Sequence, residues 1–328
     1  MTDLNFEQLV FSGGGTRCFW HGGFLETVRR PLALTPARIA GVSGGALSAS
    51  CFIAGRDETL LEVMGATFDR RSQNIATSWN EVQADGLTPH QRMYREIVAE
   101  TLDRQAIAAI ADGPSFQVLL AHPPTRRLPK WSTFPLMAAY LLDLAVRSTP
   151  KVVLPTALGT DQILVDARQA ARDGRLIDLV CSAAVIPPVF NIEGWNGRPV
   201  IDGGMTSKAP MPDPNDGRTL ILLTRRFRHL PQSESCLYVE PSEAVPADKI
   251  DFTNRRKIED TWRQGASDGK AFLLRHGWEP TRRPSHMTRH TERATLTRRD
   301  NPNGRKTWEE LQSSPAARGV SARPSPRR

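Results

Sequence analysis

The 328-residue sequence predicts an α/β layered fold, and its first segments carry most of that prediction. Short apolar runs rich in β-forming residues occur at 7–12 and 37–43, and each is followed by glycines and then by apolar residues at helical spacing. Because two successive strands separated by a helix need a crossover connection, we expect them to pair in parallel. A hydrophobic content of 39% is sufficient for a large buried core.

The elements are expected to alternate along most of the chain. The first helix is predicted over 16–30, and the second over 44–54, ending at Gly55. Residues 56–150 are predicted to be mostly helical, with one long amphipathic helix at 89–110, a strand at 114–124 and an apolar helix at 134–146. Beyond them we expect strands at 151–156, 161–167, 198–204, 218–226 and 236–240, and helices at 175–185 and 254–277.

The positive charge of the protein belongs to its C-terminal tail. The formal net charge is +8, yet residues 281–328 hold 12 Lys/Arg against 4 Asp/Glu, whereas residues 1–280 hold 31 of each. The folded part is therefore expected to be neutral, which argues against a nucleic-acid-binding domain. The tail is rich in Arg, Pro, Ser and Thr with few large apolar residues, so we predict that it is disordered.

Cysteine spacing and the N-terminal residues indicate the compartment. The four cysteines are far apart and form no CxxC pair, which favours reduced thiols over a disulfide framework or a zinc site. The N-terminal residues have neither a basic nor an apolar region of the kind found in secretory signals, and no apolar run reaches eighteen residues. A cytoplasmic location is the expectation.

The sequence GVSGG at 41–45 matches the G-x-S-x-G pattern of a nucleophile elbow. It lies between a predicted strand and a predicted helix, which is the context that the pattern requires. In such an elbow the serine occupies a strained turn, and side chains two residues before and after it would collide. Gly41 and Gly45 fit those two positions, so Ser43 is a candidate nucleophile; a plain Gly/Ser-rich turn is the alternative.

Three functions compete for the glycine-rich loop SGGGTRC at 12–18. A dinucleotide loop of the form G-x-G-x-x-G would need a third glycine at Cys18, and a phosphate-binding P-loop would need a lysine that is missing. Consecutive glycines can instead present backbone N–H groups to an oxyanion beside a helix N-terminus. Since parallel strands lie roughly 5 Å apart, this loop would be close to Ser43, and an oxyanion hole is the best interpretation.

A carboxylate with a possible role follows a later predicted strand. The segment VIDGGM at 200–205 ends that strand with Asp202, which could lie at the same end of the sheet as Ser43. Asp-Gly is also an ordinary turn signal, so the segment alone does not establish a functional carboxylate.

These segments together resemble the patatin-like phospholipase family. SGGGTR (12–17), GVSGG (41–45), CSAAVIPPVF (181–190) and VIDGGM (200–205) occur in the family's order, and the resemblance spans about residues 7–225. It implies a three-layer α/β/α fold with a mainly parallel central sheet. It also implies an acyl hydrolase domain, which we place over 1–280, ahead of the basic tail at 281–328. Residues 56–150 match no pattern of the family, and we expect them to form a mostly helical insertion that shapes the acyl pocket.

The resemblance also implies a mechanism and a substrate class. Ser43 would be the nucleophile and Asp202 its proton acceptor; the supporting positions would be the oxyanion donors Gly13, Gly14, Gly15 and Gly44 and the basic Arg17. The substrate would be a lipid or phospholipid ester, with transient contact to a membrane surface and no metal or cofactor. Cys18 and Phe19 depart from the family, which commonly has small residues there.

Two alternatives remain open from the sequence. A histidine triad would use His229 or His276, which follow Asp202 in the order that α/β-hydrolases require. A catalytically inactive lipid- or acyl-binding protein could use the same pocket without chemistry. His21 lies near the glycine-rich loop in sequence, but a packing role is expected for it.

Overall fold

Strands and helices alternate along the chain in the computed structural model of the protein, which describes residues 5–70, 86–124, 149–150, 159–187 and 189–278. The strands are β1 Gln8–Phe11, β2 Arg38–Val42, β3 Ser115–His122, β4 Asp161–Asp166, β5 Glu193–Trp195, β6 Arg198–Asp202, β7 Thr219–Leu222 and β8 Cys236–Val239. The helices are α1 Phe19–Val28, α2 Gly44–Ala54, α3 Asp57–Arg70, α4 Pro89–Thr101, α5 Arg104–Ala111, α6 Ala167–Arg172, α7 Leu176–Ser182 and α8 Arg255–Arg275, with 3-10 turns at Gly15–Cys18 and Gly203–Met205.

The strands form one central sheet in the order β5-β6-β3-β2-β1-β7-β8, with β4 also paired to β3. The five strands from β8 to β3 are parallel to their neighbours, whereas β4, β5 and β6 pair in antiparallel fashion. Helices flank this sheet. The predicted α/β fold with a mainly parallel sheet is therefore confirmed.

Two strands share one edge of β3. The strand β4 pairs with β3 over residues 117–122 and so occupies one edge, while β2 pairs over 115–119 and β6 over 120–121. Because a strand has only two edges, β2 and β6 must follow one another along the other edge. They run in opposite directions, so their C-terminal ends meet: Val42 lies opposite Leu119, and Asp202 lies opposite Leu120.

The two faces of the sheet bury different sets of residues. On β1, Leu9 and Phe11 belong to the large core under the helices, whereas Val10 joins a smaller cluster on the other face. The same alternation on the neighbouring strands places Ala40 and Ile221 beside Val10. Side chains alternate between the two faces in every strand. Burial of both faces is typical of a parallel sheet.

Several predicted elements differ from the observed ones. The amphipathic run 89–110 forms two helices, because the Asp103 carboxylate accepts the Ala106 N–H and begins α5. The first helix begins at Phe19 after a 3-10 turn, and β5 was not predicted. The strand predicted at 114–124 is confirmed as β3, which lies inside the sheet although 56–150 was expected to be mostly helical. The predicted helix 134–146, the strand 151–156 and the tail 281–328 lie outside the described residues.

His21 is a packing residue, as expected, and it is completely buried on α1. Its ring meets the Phe11 ring edge-on, with 5.5 Å between the centroids. Burial lowers the pKa of the imidazole from 6.5 to about 3. The folded protein therefore holds His21 neutral, whereas the unfolded chain takes up a proton below about pH 6.5.

We expect the free energy of unfolding to fall as the pH is lowered from 6.5 towards 3, because only the unfolded state binds a proton at His21 in that range. In His21→Phe this part of the pH dependence should disappear, which denaturant unfolding at pH 7 and pH 5 would measure. The matched control is His229→Gln, which changes an exposed histidine and should keep the wild-type slope. Equal slopes in wild type and His21→Phe would contradict the prediction.

Candidate active site

Ser43 occupies a strained turn between β2 and α2. Its backbone has φ 56° and ψ −135°, a left-handed conformation that a non-glycine residue adopts only when the surroundings impose it. The residue is 3% exposed and caps the N-terminus of α2, where backbone N–H groups carry partial positive charge. This is the geometry of a nucleophile elbow.

The glycines on both sides of Ser43 are required by close backbone contacts. A Cβ on Gly45 would lie 2.5 Å from the Phe11 carbonyl oxygen, and one on Gly41 would lie 2.9 Å from the Gly45 carbonyl oxygen. Real Cβ atoms do not approach so closely, and backbone cannot move aside as a flexible side chain can. The spacing G-x-S-x-G therefore has the steric cause that the sequence predicts.

The glycine-rich loop passes next to Ser43, and its glycines differ in whether their N–H groups already donate to a backbone oxygen. A Cβ on Gly13 would lie 3.2 Å from the Ser43 Cβ, so this glycine is in direct contact with the elbow. Its N–H, however, donates to the Lys208 carbonyl oxygen at 3.0 Å and is already occupied. Within the described ranges, the N–H groups of Gly14, Gly15 and Gly44 donate to no backbone oxygen. Gly13 is thus a poor oxyanion donor, and the other three glycines are the better candidates.

The loop is held in place by Thr224, which follows β7. The Thr224 hydroxyl donates to the Gly13 carbonyl oxygen at 2.8 Å, and the Thr224 N–H donates to the Ser12 hydroxyl at 3.1 Å. A Cβ on Gly14 would lie 2.9 Å from the Thr224 Cβ, and Gly15 has φ +59°. Neither position accepts a larger residue without strain. The close contacts and the hydrogen bonds to Thr224 fix the loop at Gly14 and Gly15, whose N–H groups are candidate donors.

Two residues of the loop, Cys18 and Arg17, lie next to the candidate donors. The Cys18 thiol donates to the Ser12 carbonyl oxygen at 3.6 Å and lies 3.0 Å from where a Gly44 Cβ would be. Burial and the charge of Asp202 raise the pKa of this thiol, so it stays neutral. Arg17 is the third residue of the 3-10 turn and has a half-buried side chain.

Asp202 ends β6 and is 2% exposed. Its Oδ1 accepts the Gly204 N–H at 2.7 Å, and its own N–H donates to the Val185 carbonyl oxygen at 2.8 Å. The shared edge of β3 brings the C-terminal ends of β2 and β6 together, and Ser43 is the residue after β2. Across the described part of the chain, no hydrogen bond joins the Ser43 hydroxyl to Asp202, which is common where catalytic contacts tighten only with substrate.

Lys208 is a buried cation that the sequence did not predict for this site. Its Nζ lies 3.4 Å from the point where a Gly204 Cβ would be, and Asp202 Oδ1 lies 2.9 Å from the same point. Burial lowers the pKa of the ammonium to about 8, although the charge of Asp202 opposes the shift. Lys208 lies six residues after Asp202 in the sequence. Lysine side chains are mostly exposed, so residue type could not predict that only 7% of Lys208 is exposed.

An apolar cavity opens beside Ser43. The non-atom space in and around it is about 660 Å³, a volume that includes solvent at its mouth. Gly15 and Gly44 lie at the same end as Ser43, and most of the wall is apolar, contributed by Phe19, Leu47, Leu60, Met64, Ala184, Ile186, Val189, Phe190 and Phe252. Lys249 and the half-exposed Ile250 also line it.

Neither histidine of the alternative triad lies in this cavity. His229 is in an exposed loop, and His276 follows α8, where its ring packs against Phe272 with centroids 4.5 Å apart. In the residues that the structure describes, no three His, Cys, Asp or Glu side chains are grouped to hold a metal ion. No helix among those residues combines the length and apolarity needed to cross a bilayer.

The sequence matches the family model described as patatin-like phospholipase over residues 9–214, so the chain belongs to the patatin-like phospholipase family. A solved structure with a similar fold is that of VipD from Legionella pneumophila. That similarity has a TM-score of 0.43 at 10% sequence identity and covers 83% of this chain and 67% of that one. No curated protein matches the sequence at a significant level.

We expect Gly45→Ala to destabilise the protein, because the added methyl group would overlap backbone oxygens of β1 and its loop. The matched control is Gly174→Ala, whose added methyl group would meet nothing within 4 Å and would cost only the strain of φ +68°, about 1 kcal/mol. Thermal unfolding of both variants measures the difference. If Gly45→Ala melted no lower than Gly174→Ala, the steric account of the elbow would be wrong.

Proposed function

We propose that the protein is a serine acyl hydrolase of the phospholipase A or lysophospholipase type, which cleaves carboxylic esters of lipids. The observation that carries the proposal is the strained Ser43 elbow at one end of an apolar cavity, with the C-terminal end of β6 and its Asp202 meeting it along β3. The family membership supports a lipid substrate.

In the first half-reaction, the Ser43 hydroxyl oxygen would attack the carbonyl carbon of the ester while Asp202 accepts the hydroxyl proton. The carbonyl electrons would move onto the oxygen, and the N–H groups of Gly14, Gly15 and Gly44 would stabilise that negative charge. Collapse of the intermediate breaks the bond to the alcohol, which leaves with the proton held by Asp202. An acyl group then remains on Ser43.

In the second half-reaction, Asp202 would take a proton from water, whose oxygen attacks the acyl carbonyl. The same N–H groups stabilise the second oxyanion, and the bond to Ser43 breaks as the serine recovers its proton. A carboxylic acid is released. The reaction needs no group beyond the side chains and backbone of the chain.

The cavity wall supports an acyl chain as the group that is bound. Burial of its methylene groups against this wall would contribute roughly 0.8 kcal/mol each. At the cavity wall, the half-exposed Ile250 follows Lys249 directly, an apolar and a cationic side chain suited to transient contact with a lipid surface.

A catalytically silent acyl-binding protein is the second candidate. It is supported by the missing hydrogen bond between Ser43 and Asp202 in the described structure. A fluorophosphonate probe separates the two candidates, because only an activated serine hydroxyl forms a covalent bond to it.

We expect Ser43→Ala and Asp202→Asn each to lower kcat/KM on p-nitrophenyl butyrate by about 1,000-fold or more, since each removes a partner of the proposed nucleophilic step. The matched control is Ser50→Ala on α2, whose hydroxyl donates to the Ala46 carbonyl oxygen and which does not line the cavity beside Ser43. It should hydrolyse the ester at the wild-type rate. Full activity in either dyad variant would reject the Ser43–Asp202 assignment.

Labelling by a fluorophosphonate should be complete in wild type, absent in Ser43→Ala and slow in Asp202→Asn. Mass spectrometry of the intact protein measures the mass that the probe adds, and peptide mapping locates it. A wild-type protein that folds but never takes up the probe would favour the silent binding protein.

A further inference from the structure

Tyr94 places a hydroxyl group where the described structure offers it no partner. The residue lies on α4, is 6% exposed and lines the cavity that begins at Ser43. Its hydroxyl oxygen is buried from solvent and makes no hydrogen bond to any described residue. Buried hydroxyl groups in folded proteins are nearly always paired, so this one requires an explanation.

Three other polar side chains along the cavity already have hydrogen-bond acceptors. The Ser48 hydroxyl donates to the Cys18 carbonyl oxygen at 3.5 Å, and the Thr16 hydroxyl donates to the Asp248 carbonyl oxygen. The Cys18 thiol donates to the Ser12 carbonyl oxygen. Among the lining side chains with a buried hydroxyl, Tyr94 therefore stands apart from Ser48 and Thr16.

Packing does not account for the hydroxyl group of Tyr94. Its ring lies near the Phe190 ring, with 6.2 Å between the centroids, and a phenylalanine would make the same contact. Burial raises the pKa of the phenol well above 10, so the group stays protonated and can donate. A buried donor without a partner costs stability unless something bound in the cavity accepts a hydrogen bond from it.

A plain hydrocarbon chain would not supply that acceptor. It would displace any water from the cavity and leave the Tyr94 hydroxyl unpaired beside methylene groups. An oxygen atom on the chain would pair with it and would still leave the rest of the chain against the apolar wall. The site therefore favours a chain that is mostly apolar and carries one oxygen function.

We propose that Tyr94 is a specificity-determining residue that selects acyl chains bearing a hydroxyl or other oxygen substituent over unsubstituted chains of the same length. The inference rests on the proposed function, because it takes the cavity beside Ser43 as the acyl-binding site. It adds a polar contact inside that site besides those of the proposed catalytic groups.

The first experiment measures binding without catalysis. In the Ser43→Ala background, isothermal titration compares decanoic acid with a series of decanoic acids that carry one hydroxyl group at successive positions. At least one isomer should bind about 10-fold more tightly than decanoic acid, and Tyr94→Phe should remove that preference without weakening decanoic acid. Met64→Leu, which changes an apolar lining side chain, is the matched control and should keep the preference.

The second experiment measures hydrolysis of the matching p-nitrophenyl esters by the protein with Ser43 intact. The ratio of kcat/KM for the preferred hydroxylated ester over the plain ester should fall about 10-fold in Tyr94→Phe and stay unchanged in Met64→Leu. Tyr94→Phe should also unfold at the wild-type temperature or above it, because it removes an unpaired buried hydroxyl.

Two results would overturn the inference: no isomer is preferred by the wild-type cavity, or the preference survives in Tyr94→Phe. A lower unfolding temperature for Tyr94→Phe would also count against it, since it would give the hydroxyl a structural role. Failure of the proposed hydrolase is a separate result, because the titrations in Ser43→Ala do not depend on turnover.

Discussion

The edge of β3 that β2 and β6 share is the constraint on which the candidate site depends. Because β4 covers the opposite edge, β2 and β6 can only follow one another, and their C-terminal ends meet near Leu119 and Leu120. Ser43 and Asp202, which are far apart in sequence, are brought to one place by this pairing. A one-residue change of register in β6 would move the carboxylate along β3 and turn it to the other face of the sheet.

The second constraint on the site is that its backbone segments pack very close to one another at glycines. Gly41 and Gly45 let β1, β2 and α2 meet behind Ser43, and Gly13 and Gly14 let the first loop pass between the elbow and Thr224. The strain at Ser43 persists because these contacts leave the turn no room to relax. In the proposed reaction, such contacts would hold the N–H groups in position for the charge that forms on the carbonyl oxygen.

Charge is buried at the site, whereas the cavity next to it is apolar. Asp202 and Lys208 both lie next to Gly204, and both side chains are almost fully buried. The positive charge of Lys208 therefore compensates the negative charge of Asp202. The cavity is lined by apolar side chains such as Leu47, Met64 and Phe190, and Tyr94 adds a hydroxyl group to this lining. In the proposed reaction, the polar ester group of the substrate would lie near the buried charges, and its mostly apolar chain would lie in the cavity.

The sequence by itself determined the fold class, the elbow and the sites of most strands, because these depend on local signals: apolar periodicity, glycine spacing and strand-to-helix order. It could not find the break at Asp103, since the capping of α5 competed with a continuous amphipathic pattern. Only the tertiary structure decided that the Gly13 N–H is occupied, that Lys208 is buried beside Asp202 and that Tyr94 lines the cavity. Each of these features depends on which distant segments of the chain pack together, and residue type alone does not predict that packing.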